Sequence, residues 1–333
     1  MRMTIRRRAS PFILMLLIGA APGLRAQTDE DAIMMSKQNF CVGGIYSHSS
    51  WNHYWEGTFR RDNKNLGTVS TQMFGLMGTY GVSRKLNVLI NAPYVTTHVT
   101  AGTLHDQHGI QDLSLWVKWL AAEKKVGNGV LSLYVLGGGS LPLTNYIADY
   151  LPLSIGLHSK TLSGRLMVDY QLGNFFVTAS ATRTWRDNIR IDRNSYYTTE
   201  LHLTNDVDMP DMAAVNLRSG YRSDRWIIEA VLSTMTTLGG FDIRKNDMPF
   251  PSNKMDAAMV GAHFKYNFKA VEGLSLTGGA NFTLDGLSLN GGKNYVVRTR
   301  NVGQSKAFDI GVFYILNFSH KAKAAAATPT KTN

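Results

Sequence analysis

The sequence predicts an all-β fold: a transmembrane antiparallel up-and-down β-barrel of about 12 strands, following a cleaved signal peptide. Three observations predict it. Apolar residues recur with period two over segments of about 9 to 13 residues, short and long connections alternate along the chain, and aromatic residues flank the short turns.

The elements follow in order. The chain opens with Arg2, Arg6, Arg7 and Arg8 and no acid, continues into the apolar run "PFILMLLIGAAPGL", and reaches "RAQTDE". That is the layout of a secretory signal. The apolar run is too short to cross a bilayer as a helix, which takes about 20 residues. A cleaved transit peptide is the rival reading, and the unbroken apolar run argues against it. A cut after Ala26 divides the chain into a signal (1–26), a short N-terminal segment (27–39), a barrel (40–318) and a disordered basic tail (319–333). Removing the five arginines before residue 27 lowers the net charge from +11 to about +6, and three of those charges are lysines of the tail. The basic balance is thus a feature of the two ends and excludes a nucleic-acid-binding face. Cys41 is the single cysteine, so no internal disulfide forms.

The period-two pattern is clearest in "AFDIGVFYILNF", where Phe308, Ile310, Val312, Tyr314, Leu316 and Phe318 share one parity and Asp309, Gly311 and Asn317 the other. In "LSGRLMVDYQL", Leu162, Leu166, Val168, Tyr170 and Leu172 oppose Ser163, Arg165, Asp169 and Gln171. "LNVLINAPY" and "LSLTGGANFTL" repeat the pattern. These runs exceed the usual globular strand and match a tilted membrane crossing. Short turns are expected at "GVSRK", "AAEKKVGNG", "LGN", "RSDR" and "KAVEG", and long loops at 51–67, 100–110, 142–160, 186–211, 239–254 and 285–306. An even strand count with short periplasmic turns and long external loops describes an outer-membrane barrel with both termini periplasmic. Tyr80, Trp119, Tyr170, Phe175, Tyr221, Trp226, Phe268 and Phe318 form the expected interfacial girdle beside the short turns.

"YGVSRKLNVLINAPYV", "GIQDLSLWVKW" and "TLSGRLMVDYQLGNFFVTASATRTW" together resemble the outer-membrane transporter family of the MetA pathway of phenol degradation. The matching points are Leu86–Val88, Pro93–Val95, Gly109–Leu113 and Tyr170–Gly173, and "WEGTFRRDNKNLGTVSTQ" resembles a Bacteroidetes-type member. The resemblance implies a channel for small, apolar or aromatic compounds. The chain departs from hydrophobic-uptake channels of the fatty-acid and toluene type, which resemble it in role but carry a long N-terminal plug. Only about 13 residues, Gln27 to Asn39, precede the first strand here, so no full plug is expected. Any constriction would come from inward side chains or a folded-in external loop.

Parity assigns the lumen-facing set: Asp112, Lys118, Arg165, Asp169, Arg218, Glu229, Asp256, Lys265 and Asp309. Opposite signs among them are expected to pair across strands, because an unpaired charge in a narrow barrel is costly. They form either a selective constriction or a set of stiffening salt bridges. No cofactor or metal site is expected. "LHDQHG" offers His105, Asp106 and His108, which read as a solvated loop. Arg298 and Arg300 are placed to meet lipopolysaccharide phosphates. The expected partners are outer-membrane lipid, the barrel-assembly machinery and a solute that the sequence does not identify. The alternatives to a channel are a structural or adhesive barrel and a lipid hydrolase. The hydrolase would use His48 and Ser50 of "YSHSSWNHYW", which share a face, although no orienting acid or oxyanion donor can be read beside them.

Overall fold

The structure, a computed structural model, describes residues 28–244, 248–288 and 294–318. The predicted signal (1–26) and basic tail (319–333) lie outside the described residues. Twelve long strands form the wall: β1 (Asn39–Trp51), β2 (Val69–Ser83), β3 (Leu86–Val99), β4 (Asp112–Val126), β5 (Gly129–Pro142), β6 (Thr161–Leu172), β7 (Phe175–Arg186), β8 (Met212–Arg222), β9 (Trp226–Thr237), β10 (Asp256–Asn267), β11 (Leu274–Leu284) and β12 (Lys306–Asn317). Each pairs antiparallel with the next, and β1 closes on β12 from Asn39↔Asn317 to Ser50↔Lys306. Closure leaves no sheet edge to be satisfied in lipid.

The two faces are inverted relative to a soluble sheet. Leu76, Ile90, Leu166, Val215, Ile228, Phe308, Ile310 and Val312 are exposed on the outside, while Asn87, Lys118, Asp169, Thr178 and Ser275 are buried inside. Among the described residues no helix is long and apolar enough to cross a membrane; the strands do so. At the short-turn end Trp119, Phe175, Tyr221 and Trp226 stand exposed on the outer face, with Tyr80, Phe268 and Phe318 also exposed. Phe175 meets Tyr221 edge to face at 5.8 Å, and the half-buried Tyr170 donates its hydroxyl to Val126 O.

"AAEKKVGNG" is not a nine-residue turn. The β4 strand runs on through a bulge at Ala121 to Val126, and only Gly127 and Asn128 turn the chain. The next hairpin is equally tight, with Gly173 at φ 58°, a left-handed value that suits glycine in a two-residue turn.

The long-loop end is capped by apolar packing. Leu153 descends between Val69 and Val99 inside the mouth, with Trp51, Leu66, Leu104 and Tyr150 around it. The Thr97 hydroxyl donates to Leu153 O at 2.6 Å. Above this, Ala148, Ile189, Ile191, Tyr196, Val207 and Met209 form a second core with Leu157 and Phe250. A folded-in loop is therefore present.

A second closure lies deeper. Contrary to the sequence expectation, the residues before β1 enter the lumen. Thr28–Gln38 has no regular secondary structure and crosses the interior. Ala32 packs among Leu120, Tyr134, Leu136 and Met167; Ile33 against Phe176 and Ile227; Met35 against Cys41, Phe313 and Ile315. Eleven residues can extend roughly 36 Å at about 3.3 Å each, enough to cross a barrel of this size. Where the segment leaves the lumen it presses on β2. Gln38 N donates to Gly81 O at 2.8 Å, and a Cβ on Gly81 would sit 2.2 Å from Ser36 O.

Candidate functional site

The site is the lumen at the level of the inserted segment. Three consecutive carboxylates, Asp29, Glu30 and Asp31, meet three basic side chains that parity had already turned inward. Arg165 Nη1 lies 3.1 Å from Asp29, Arg218 Nη2 lies 2.5 Å from Glu30, and Lys118 Nζ lies 3.1 Å from Asp31. Lys118 is fully buried. Its ammonium also donates to Thr28 O, to Asp31 O at 2.8 Å and to Ile33 O at 3.3 Å. Arg165 adds Asp29 O at 2.7 Å and Thr182 Oγ1 at 2.7 Å, and its guanidinium lies over Trp116. Tyr134 donates to Ala32 O at 2.9 Å. The segment is therefore gripped through its backbone as well as its carboxylates.

Further pairs run between strands. Arg218 Nη1 reaches Glu229 at 2.5 Å, so this guanidinium bridges segment and wall. Arg222 meets Asp169 at 3.1 Å and lies 3.9 Å over the Phe176 ring. His263 Nδ1 stands 3.9 Å from Asp309, and its Nε2 lies 3.1 Å from Asn281. Asp112, at the long-loop end, accepts from Tyr146 at 2.5 Å. Lys265 is buried and lines the cavity described below.

Asp256 must be moved to the other face. It shares even parity with the exposed Val260 and Phe264, which point out of the barrel. It heads β10 at the long-loop rim, where Arg300 approaches at 3.6 Å and Thr236 donates to it. The loop strand ending at Arg298 packs on this strand's rim, so a polar residue of outward parity finds its partners in a loop and not in the lumen.

Reading the sequence missed four participants. Arg222 lies in the expected turn "RSDR", His263 and Tyr134 carry no assignment, and the acidic run 29–31 belongs to the short N-terminal segment. The usable signal was the run itself: three adjacent carboxylates placed beside a wall with inward Lys118, Arg165 and Arg218.

The segment does not fill the lumen evenly. Against β8–β12, β1 and β2 it leaves a cavity of about 290 Å³. Ile33, Ile45, Met77, Ile227 and Phe313 give it apolar walls, and Glu229, His263, Lys265 and Asp309 give it polar ones.

The remaining candidates find other partners. His48 and Ser50 share the outer face, but the His48 ring packs against Phe308 at 5.3 Å, and no carboxylate contacts it among the described residues. Nearby, His98 Nδ1 lies 2.7 Å from Asp106, and Ser70 is the register partner of His98. The strand N–H groups there belong to the ladder, which leaves no pair of donors for an oxyanion. No group of three His, Cys, Asp or Glu suited to a metal occurs among the described residues, and Asp106 is held by His98. Arg300 is occupied by Asp242, with Nη1 2.8 and 2.6 Å from its two oxygens. Partial burial pushes the Asp242 carboxyl up, but the hydrogen bonds from Arg300 and Asn301 outweigh it and hold it below its ordinary 3.8.

This architecture is shared with known outer-membrane barrels. The chain is similar to an outer membrane channel from Pseudomonas putida F1, at 13% identity and a TM-score of 0.65 over 88% of this chain and 100% of that one. It is more distantly similar to the translocator domain of the autotransporter NalP from Neisseria meningitidis, at 9% identity and a TM-score of 0.43 over 84% and 88%. A FadL homologue from Pseudomonas aeruginosa gives 12% identity and a TM-score of 0.37 over 84% and 90%. No curated protein matches the chain. The model of one family matches residues 65–299, most of the chain. The protein is an outer-membrane β-barrel and belongs to the family described as "Putative MetA-pathway of phenol degradation".

Proposed function

We propose that this protein is a passive outer-membrane channel for small solutes, apolar or aromatic in character, closed at rest by its own N-terminal segment. The observation that carries the reading is the clamp of Asp29, Glu30 and Asp31 on Arg165, Arg218 and Lys118. A buried ion pair contributes little net stability, because the Coulomb gain roughly offsets desolvation. It does fix geometry. A closure held this way is specific in position yet costs little to rearrange once water or a solute solvates the charges. The family and the fold shared with a known channel support transport over catalysis. Both termini are placed on the periplasmic side, so the segment enters from below while the loop cap faces outward. Outer-membrane lipid surrounds the girdle, and the barrel-assembly machinery would insert the chain.

The test is a deletion of residues 28–36, compared with the intact barrel in planar bilayers and in liposomes loaded for uptake of benzyl alcohol. The expected result is a severalfold rise in ion conductance and faster uptake. A folded barrel that passes neither ions nor solute, even without the segment, would sink the reading. The phenol-pathway family suggests aromatic solutes, and benzyl alcohol is the neutral probe for that class.

A further inference from the structure

We infer that the cavity beside the inserted segment is a binding site for a small organic ammonium ion with an apolar body, a reading that rests on the lumen being the solute pathway. The argument starts from charge. The carboxylates that line the cavity, or pair with groups that do, are Asp29, Glu30, Asp31, Asp169, Glu229 and Asp309. The permanent cations facing them are Lys118, Arg165, Arg218, Arg222 and Lys265. Among the described residues six carboxylates thus meet five permanent cations, and Lys265 lines the same cavity.

One of these carboxylates stands apart from the lysines and arginines. Asp29 and Asp31 each have a Lys or Arg nitrogen at 3.1 Å, Asp169 has Arg222 at 3.1 Å, and Glu30 and Glu229 share Arg218 at 2.5 Å. Asp309 has only His263, at 3.9 Å; among the described residues no lysine or arginine nitrogen lies within 4.0 Å of it. Its side chain retains 17% exposure, and it lines the cavity. Beside it, on its own strand and on β1 and β2, the cavity offers Phe313, Ile45 and Met77. An alkyl- or arylammonium ion places its N–H donors on Asp309 and its hydrocarbon on those walls. A neutral alcohol of the same shape can donate its O–H to Asp309 but lacks the attraction between opposite charges, and an anion is repelled by the carboxylate.

A charge-assisted hydrogen bond in a water-poor site is worth enough to separate two isosteres by about tenfold or more. Benzylammonium and benzyl alcohol are such a pair. The full barrel, reconstituted in lipid nanodiscs, should bind benzylammonium about tenfold more tightly than benzyl alcohol by ligand-observed NMR at pH 7.5. Asp309→Asn should remove that preference by weakening benzylammonium more than benzyl alcohol, while Asp309→Glu should retain it. Equal affinities in the wild-type barrel, which need no variant to fold, would overturn the inference. So would a preference that survives Asp309→Asn. Uptake by the barrel lacking residues 28–36 separates this inference from the pathway itself. If benzyl alcohol enters there while the intact barrel shows no ammonium preference, the site is wrong and the channel stands. If neither compound enters, both are wrong.

Discussion

The barrel interior is filled at two levels, and the two are built from opposite chemistry. At the long-loop end, Leu153 and the core around Ile189 and Val207 shut the mouth by apolar contact. In the lumen, the segment of Asp29, Glu30 and Asp31 is held across the interior through charges on three strands. Apolar packing is non-directional and loses little when one contact shifts. An ionic clamp is directional, and each member left behind without its partner is costly. The cap therefore behaves as a lid that stays down in a range of positions, and the clamp as a latch with one position.

Breaking the latch should give the largest effect. Lys118→Ala leaves the Asp31 carboxylate and the Thr28 and Ile33 carbonyls facing a void, a loss on the order of 3–5 kcal/mol for the inserted state. The expected outcome is protease cleavage within residues 28–37 of the folded barrel, together with higher conductance; an intact segment would refute the latch. The corresponding change in the cap is Leu153→Ala, at about 2–5 kcal/mol for a buried leucine. It should loosen loop 143–160 to protease and leave the inner segment protected, which keeps the two closures distinct. A smaller effect, about 1–3 kcal/mol, is expected from Gly81→Ala, because the new methyl group meets Ser36 O. Its readout is altered solvent protection of the Gln38 amide by hydrogen exchange.

The smallest effect concerns the rim. The Asp242 carboxyl is held below its ordinary value, so its pairing with Arg300 contributes stability above pH 3.8, and that contribution is lost as pH falls through the depressed value. Asp242 is half exposed, so the loss is small. Acidification below about pH 4 should loosen the loop 239–254 to protease, and Asp242→Asn should abolish the pH dependence; a loop equally protected at pH 3 and pH 7 would rule this out.

How far the sequence disclosed this arrangement depends on range. The wall was legible because each strand carries its own evidence: the two faces of Thr161–Leu172 differ residue by residue, and the turns between strands are local. Parity even turned Lys118, Arg165 and Arg218 inward before their partners were known. The partners were not legible. Thr28–Gln38 has no period, and its contacts reach 90, 136 and 188 positions along the chain. Nothing in its eleven residues states where they will land. Asp256 was misplaced for a simpler reason: strict alternation from Val260 and Phe264 turns it outward, and grouping it with Lys265, nine positions on and of opposite parity, broke that alternation.

The junction at Gln38 and Gly81 has a kinetic consequence. Because the segment runs covalently into β1 at Asn39, a released segment does not diffuse away, and the Gln38–Gly81 bond fixes where its tether begins. Rebinding is intramolecular, at an effective concentration on the order of millimolar for a short tether. On the proposed function, the barrier therefore re-forms after each opening without any added component. Brief, self-terminating openings are the expected signature in single-channel recordings, and cutting the chain between residues 36 and 38 should convert them into lasting ones.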